Sequence, residues 1–228
     1  MLKSAKLILS SAILYGLIVI PADARGLVRG RAAHRNASGG VSKAAGGAAK
    51  GANGGQAAKG HTLSTDGQGE ATRNSAAKAT GPNGGTAERQ DSTSVSNGAT
   101  SHTGTGSVTG PNGGTVSHQG TTSVSDGTAS HSGSTSVTGP NGGTVSHQGT
   151  TSGSGGTATH QGSVTATGPN GGSAQTSGTA GGGTATRSTQ ATGPNGTSYS
   201  GSTTATKGSG AKHTGTCTNA SGAVVPCK

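Results

Sequence analysis

The sequence predicts a low-complexity chain that is either largely disordered or a thin all-β repeat, made of stacked hairpins or a narrow β-solenoid, with no globular core. Composition and periodicity both point to this fold class. The 228 residues include 47 Gly but no Phe or Trp, and beyond Ala24 the large aliphatic residues are Leu27, Leu63 and eleven valines. Burial of so few side chains cannot offset the entropy of ordering the chain. A repeat held by backbone hydrogen bonds needs less core, because each unit contacts its neighbours.

Residues 1–24 have the form of a signal peptide. A basic start precedes a mostly apolar run over 7–20, and the small-x-small triplet Ala22-Asp23-Ala24 follows. An uncleaved membrane anchor is the alternative, but the run is shorter than the ~18 to 20 residues that a spanning helix needs. We expect cleavage after Ala24, no transmembrane span in the mature chain, and a secreted, periplasmic or cell-surface location.

Residues 25–80 are rich in Ala, Gly, Lys and Arg, and we interpret them as a flexible basic arm. Gly pairs disfavour helix, and no apolar residue recurs at helical spacing. Residues 25–89 hold ten Lys and Arg against three acidic residues, whereas residues 90–186 hold no Lys or Arg. This segregation predicts attachment to an anionic cell-surface polymer or glycan. The cations expected to bind it are Arg25, Arg29, Arg31, Arg35, Lys43, Lys50 and Lys59.

Residues 81–206 are tandem repeats with a 29-residue period. Gly-Pro-Asn-Gly begins at Gly81 and recurs at spacings of 29, 29, 29 and 25. A second turn signal, such as Asn97-Gly98 or Asp126-Gly127, lies midway between successive copies. The repeating unit is therefore half a period containing one turn. A Gly/Ser/Thr linker that arose by duplication and has no fold is the alternative.

The turn residues predict hairpins with a defined register. Proline presets φ at the first central position, and the glycine after Asn supplies positive φ. Asn-Gly and Asp-Gly favour two-residue hairpin turns. The Pro-Asn-Gly turn then places Val108 opposite Val116, and the Asp-Gly turn places Val124 opposite Ala129. We expect small apolar side chains on one face, with Ser, Thr and His on the other.

The C-terminal segment, residues 207–228, contains Cys217 and Cys227, the two cysteines of the chain. An even count in an exported protein predicts one disulfide between them. Metal or redox chemistry would need additional ligands or a CxxC spacing, and neither is present.

A regular series of histidines follows the repeat. Such imidazoles can bind Zn or Cu, which makes a His-rich metal-binding protein the alternative function. Arg89 and Arg187 occupy equivalent positions in other repeats, and arginine does not ligate a metal, so a solvated polar surface is also possible. The candidate ligands are His102, His118, His131, His147 and His160.

The chain lacks the residue patterns of catalysis. No acidic residue accompanies a Ser-His pair, and no H-E-x-x-H, P-loop or G-x-S-x-G occurs. We therefore expect no enzymatic activity and no cofactor. Nucleic acid is not expected as a dedicated partner, because interleaved aromatics for base stacking are missing. Self-association and a membrane-active cationic peptide precursor remain open alternatives.

The Thr-Gly-Pro-Asn-Gly-Gly-Thr repeats, the signal peptide and the two-cysteine segment together resemble exported bacterial Gly/Ser/Thr-rich tandem-repeat proteins of unassigned function. The resemblance covers about half of the chain and implies an exported repeat protein without a particular activity. The function expected is that of a non-catalytic surface or extracellular-matrix protein.

Overall fold

The protein, described here by a computed structural model over residues 26–227, forms one antiparallel sheet of fifteen strands in sequence order. The predicted signal peptide and Arg25 lie outside the described residues. The strands are β1 (Gly26–Arg35), β2 (Val41–Lys50), β3 (Gln56–Thr65), β4 (Ala71–Thr80), β5 (Thr86–Ser96), β6 (Ala99–Thr109), β7 (Thr115–Ser125), β8 (Thr128–Thr138), β9 (Thr144–Ser154), β10 (Thr157–Thr167), β11 (Ser173–Gly181), β12 (Thr184–Thr192), β13 (Ser198–Thr206), β14 (Gly210–Thr218) and β15 (Val224–Val225).

Five-residue loops join the strands along one edge of the sheet, by which we mean one of the two sides where the strands end. In the β6–β7 loop, the Gly110 amide donates to the Gly114 carbonyl at 2.7 Å, and the Gly113 amide donates to the Gly110 carbonyl at 3.0 Å. Gly113 has a φ of +82°, which is the role that the turn chemistry predicts for the glycine after Asn. The loops of this edge span 51–55, 81–85, 110–114, 139–143, 168–172, 193–197 and 219–223.

The opposite edge has shorter turns in its central part. Asn97 and Asp126 have φ of 50°, and the glycine after each also has positive φ. Positive φ at both central positions defines the type I′ turn, whose twist suits the flanking strands. The longer β3–β4 loop at this edge is held by Asp66, whose carboxylate accepts hydrogen bonds from the Gln68 and Glu70 amides at 2.8 and 2.9 Å. The Gln68 amide in particular lowers the pKa of Asp66 below its ordinary value.

The registers predicted from the turns are confirmed. Val108 lies opposite Val116, and Val124 lies opposite Ala129. These pairings belong to an unbroken register, in which one row of cross-strand partners crosses all fifteen strands. The row consists of Leu27, Ala49, Ala57, Ala79, Ala87, Val108, Val116, Val137, Val145, Ala166, Ala174, Ala191, Tyr199, Cys217 and Val225.

We call the side of the sheet that carries this row the valine–histidine face, because the repeat histidines share it. His118 is two residues after Val116 on β7, and side chains two apart on a strand point to the same side. The expectation that histidine lies with Ser and Thr, opposite the valines, is therefore wrong. The other side, which we call the hydroxyl face, carries Ser107, Ser117 and their cross-strand partners.

The thin all-β repeat is confirmed as the fold class, and the largely disordered alternative is wrong. The strands form a single meander in which contacts join sequence neighbours, rather than the coils of a solenoid. The expectation of a flexible arm over residues 25–80 is also wrong, because residues 26–80 form β1–β4 and their loops. The β2–β3 loop over 51–55 lacks proline, yet it closes with the same pair of backbone hydrogen bonds as the repeat loops. The repeat architecture therefore extends to β1.

The sheet buries few side chains. Among residues 26–227, Ala48 is the one apolar residue that is buried, with 5% of its surface exposed. Cys217 on β14 is bonded to Cys227, as the sequence predicts, and the bond closes the segment that contains the two-residue strand β15. None of the described residues belongs to a helix with the length and hydropathy needed to cross a membrane.

Candidate functional site

A cluster of six cations lies on the valine–histidine face of β1–β4, and we call it the basic patch. Arg29 on β1 and Lys59 on β3 flank Gly47 in one cross-strand row. Lys43 on β2 and Arg73 on β4 flank Leu63 in another. At ~4.8 Å between strands and ~3.3 Å per residue, the patch occupies about 14 by 20 Å. Its members are Arg29, Arg31, Arg35, Lys43, Lys59 and Arg73.

The composition of this face leaves the six cations accessible. All six are exposed, and most of the residues between them are Ala or Gly, which do not cover a long side chain. The valine–histidine face of β1–β4 contains no Asp or Glu. The electrostatic potential over the patch is therefore positive, since nothing on the same face of these strands offsets the charges.

An ion pair marks the boundary of the basic patch on β5. Arg89 donates to Asp91 through Nε at 2.8 Å and through Nη2 at 3.1 Å. The Arg89 hydrogen bonds hold the pKa of the Asp91 carboxyl below its ordinary value and raise the pKa of Arg89. His102 Nε2 also lies 4.0 Å from Asp91. Arg89 therefore forms an ion pair within the sheet. None of the six patch cations takes part in an ion pair with another of the described residues.

The structure distributes the cations that the sequence assigns to binding between the two faces of the sheet. Arg29, Arg31, Arg35, Lys43 and Lys59 share one face, but Lys50 pairs with Gly26 and Gln56 on the hydroxyl face. Arg25 lies outside the described residues. Arg73 belongs to the patch although it was not assigned to binding, because its face becomes known only once the register of β4 is fixed. Lys78, on the hydroxyl face, forms an ion pair with Glu88 at 2.5 Å.

The repeat histidines lie beside a row of glycines that runs across β6–β11. A Cβ added to Gly120 would lie 3.5 Å from His118 Nε2 and 3.7 Å from His131 Cε1, so both rings approach the same glycine. The next repeat is equivalent, because the corresponding point on Gly149 lies 3.5 Å from His147 Cε1 and 3.6 Å from His160 Cε1. The glycine row consists of Gly104, Gly120, Gly133, Gly149, Gly162 and Gly178.

Cross-strand hydrogen bonds orient these rings. The Nδ1 atoms of His102, His131 and His160 lie 2.8 to 2.9 Å from the hydroxyl oxygens of the Thr residues directly opposite. His118 makes the same contact to Thr135 at 3.0 Å. Because Nδ1 is engaged, Nε2 is the ring nitrogen directed along the face in these four residues. Within residues 26–227 no three His, Cys, Asp or Glu side chains are grouped closely enough to hold a metal ion.

The hydroxyl face differs in chemistry from the valine–histidine face. On β7 it carries Thr115, Ser117, Gln119, Thr121 and Ser123, and on the flanking strands it is similarly rich in Ser and Thr. Several hydroxyls pair with each other between strands, as Ser123 and Ser130 do at 2.6 Å. This face is polar without charge over β6–β11.

Comparison of the chain with protein-family models, with curated proteins and with solved structures gave no match.

Proposed function

We propose that this chain is a non-catalytic, exported surface or extracellular-matrix protein that attaches to an anionic polymer through the basic patch. The observation that carries the proposal is the placement of six exposed cations on one face of β1–β4, without an acidic residue on that face. A polyanion such as an acidic glycan can contact all six charges at once, because its own charges repeat along a chain.

The rest of the sheet acts as a spacer in this proposal. Residues 90–186 contain no Lys or Arg, so β6–β11 extend away from the attachment site without competing for the polymer. Backbone hydrogen bonds between neighbouring strands hold the spacer together, and it has no globular core. The Cys217–Cys227 disulfide supports export, since disulfides persist in oxidising compartments.

The test is binding of the disulfide-intact protein to heparin, a sulfated glycan, as a function of salt. If six cations are neutralised on binding, the logarithm of affinity should fall with the logarithm of salt concentration with a slope of about −4 to −5, by analogy with counterion release from nucleic acids. Between 50 and 200 mM salt the affinity should fall on the order of 10³-fold. Isothermal titration at several salt concentrations measures the slope.

Two triple variants of equal net charge separate the patch from general basicity. Arg31→Gln, Lys43→Gln and Arg73→Gln remove half of the patch, whereas Arg187→Gln, Lys207→Gln and Lys212→Gln remove three cations at the other end of the sheet. The first variant should reduce the slope to about −2 to −3, and the second should leave it unchanged. Equal losses in the two variants would contradict the proposal, because attachment would then depend on net charge alone.

A further inference from the structure

The valine–histidine face of β6–β11 carries Val, Ala and Gly interspersed with His and Thr, and no part of residues 26–227 covers it. Contacts between elements join strands adjacent in the sheet, so the described chain places nothing over either face. Val108, Val116, Val124 and Val145 keep 51, 41, 45 and 44% of their surface exposed. One row of this face is apolar across all six strands, and a continuous exposed apolar row is typical of an interaction surface. The row consists of Val108, Val116, Val137, Val145, Ala166 and Ala174.

This part of the face also carries no formal charge. Its residues on β6–β11 are Val, Ala, Gly, Thr and His, with no Lys, Arg, Asp or Glu. On the same face, charged residues are found on the two flanking strands, with Asp91 on β5 and Arg187 on β12. A surface without Lys, Arg, Asp or Glu, between borders that carry charge, can be dehydrated without leaving an unpaired ion of these types buried. The face is not flat, because the glycine row forms a shallow groove between the imidazoles.

We propose that two copies of this protein pack face to face through the valine–histidine face of β6–β11. Six strands at ~4.8 Å and about nine residues along each at ~3.3 Å give an area of ~800 Å² per copy, or ~1,600 Å² in total. That is the size of a standard specific interface.

The charges outside this area select the crossing angle. Aligned packing of the two sheets would extend the contact over β1–β5 and place the basic patch against another sheet, which would bury cations without partners. Orthogonal packing is the other arrangement that sheets adopt. It confines the overlap to a square whose side is the length of a strand, about the width of six strands. The crossed pair therefore buries β6–β11 and leaves both basic patches exposed at its ends.

The first test compares two double variants on the same strands. Val116→Lys with Val137→Lys places two charges on the valine–histidine face, whereas Ser117→Lys with Ser136→Lys places two charges on the hydroxyl face, one residue away. Sedimentation equilibrium of the disulfide-intact protein, without polyanion, should show a dimer for the wild type and the Ser variant and a monomer for the Val variant. Far-UV circular dichroism checks that each variant retains its strands. A monomeric wild type at 100 µM total protein, or a Val variant as dimeric as the Ser variant, would overturn the proposal.

A second measurement needs no substitution. Diethylpyrocarbonate acylates exposed imidazoles, and mass spectrometry locates the product. His118, His131 and His147 should become less reactive as protein concentration rises, because dimerisation covers them. His34, which lies on the hydroxyl face of β1, should react equally at every concentration. Protection of all four to the same degree, or of none, would contradict face-to-face pairing through β6–β11.

Discussion

The positive-φ glycine at the fourth position of each five-residue loop provides a sharp test of the ordered sheet. Gly113 has a φ of +82°, and a Cβ added there would meet no atom within 4 Å. Gly113→Ala therefore introduces backbone strain without a steric clash. An L-residue in the left-handed region costs about 1 to 2 kcal/mol, so we expect Gly113→Ala to destabilise the fold by that amount.

A matched control lies in the same loop. Gly110 does not have positive φ, and a Cβ there would lie 3.6 Å from the Gly114 carbonyl oxygen, an ordinary contact. Gly110→Ala should therefore be neutral or slightly stabilising, because alanine restricts the unfolded chain. Urea unfolding followed by far-UV circular dichroism compares the two variants with the wild type. Equal midpoints for all three proteins, or a larger loss from Gly110→Ala, would refute the loop geometry.

The equivalent loops extend this test to the whole repeat. Along the edge that carries the Pro-Asn-Gly loops, seven glycines have the same role, with φ between 82 and 87°. Replacing all seven with Ala should cost roughly 7 to 14 kcal/mol if the sites are independent. That approaches or exceeds the total stability of a typical domain, so the seven-fold variant should lose its β signal. The seven residues are Gly54, Gly84, Gly113, Gly142, Gly171, Gly196 and Gly222.

Two further predictions concern the Arg89–Asp91 ion pair and the Cys217–Cys227 disulfide. Because Arg89 lowers the folded-state pKa of Asp91, the carboxylate stabilises the fold above its unfolded pKa, and this contribution is lost as pH falls through the lowered value. Asp91→Asn should therefore reduce the urea midpoint at pH 7, and the difference from the wild type should shrink as pH falls below the ordinary pKa of the carboxyl. Reduction of the disulfide should expose residues 219–227 to proteolysis while β1–β13 stay resistant, since β15 pairs through two residues. Rapid cleavage within β1–β13 after reduction would show that the disulfide stabilises the sheet as a whole.

Local turn chemistry made the central registers predictable from sequence. Asn-Gly, Asp-Gly and Pro-Asn-Gly each specify a backbone conformation within a few residues, and a turn of known length fixes which residues lie opposite each other. Val108 and Val116 are paired for that reason. The side of the histidines follows from the same register, because His118 and Val116 are separated by two residues.

Residues 26–80 could not be predicted in the same way. Alanine and glycine have little preference for strands, and the loop over 51–55 lacks the proline that marks the later copies. In the sheet β4 pairs with β5, and β3, β2 and β1 follow in sequence order. Asn53-Gly54 is a turn signal of the same kind as those in the later copies, but the Ala- and Gly-rich residues on either side of it do not alternate in polarity as a strand would.

The basic patch depends on this pairing. The sequence shows that cations cluster near the N-terminus, but their sides depend on the register of four strands. Lys50 and Arg73 illustrate the point, because the first lies on the hydroxyl face and the second joins the patch. In a flexible arm all the cations would be equally available to a partner. In a strand, even-numbered and odd-numbered residues point to opposite faces of the sheet, so the cations are separated into two sets.

Hydrogen–deuterium exchange of residues 26–80 in the intact protein tests most directly whether the basic segment is part of the sheet. The central strands of this segment, β2–β4, are hydrogen-bonded on both sides, so peptides covering them should exchange as slowly as peptides from β6–β10. Loop peptides, such as one covering 66–70, serve as the fast reference within the same protein. Complete exchange of β2–β4 within seconds, together with protection of β6–β10, would contradict the account and restore a flexible arm.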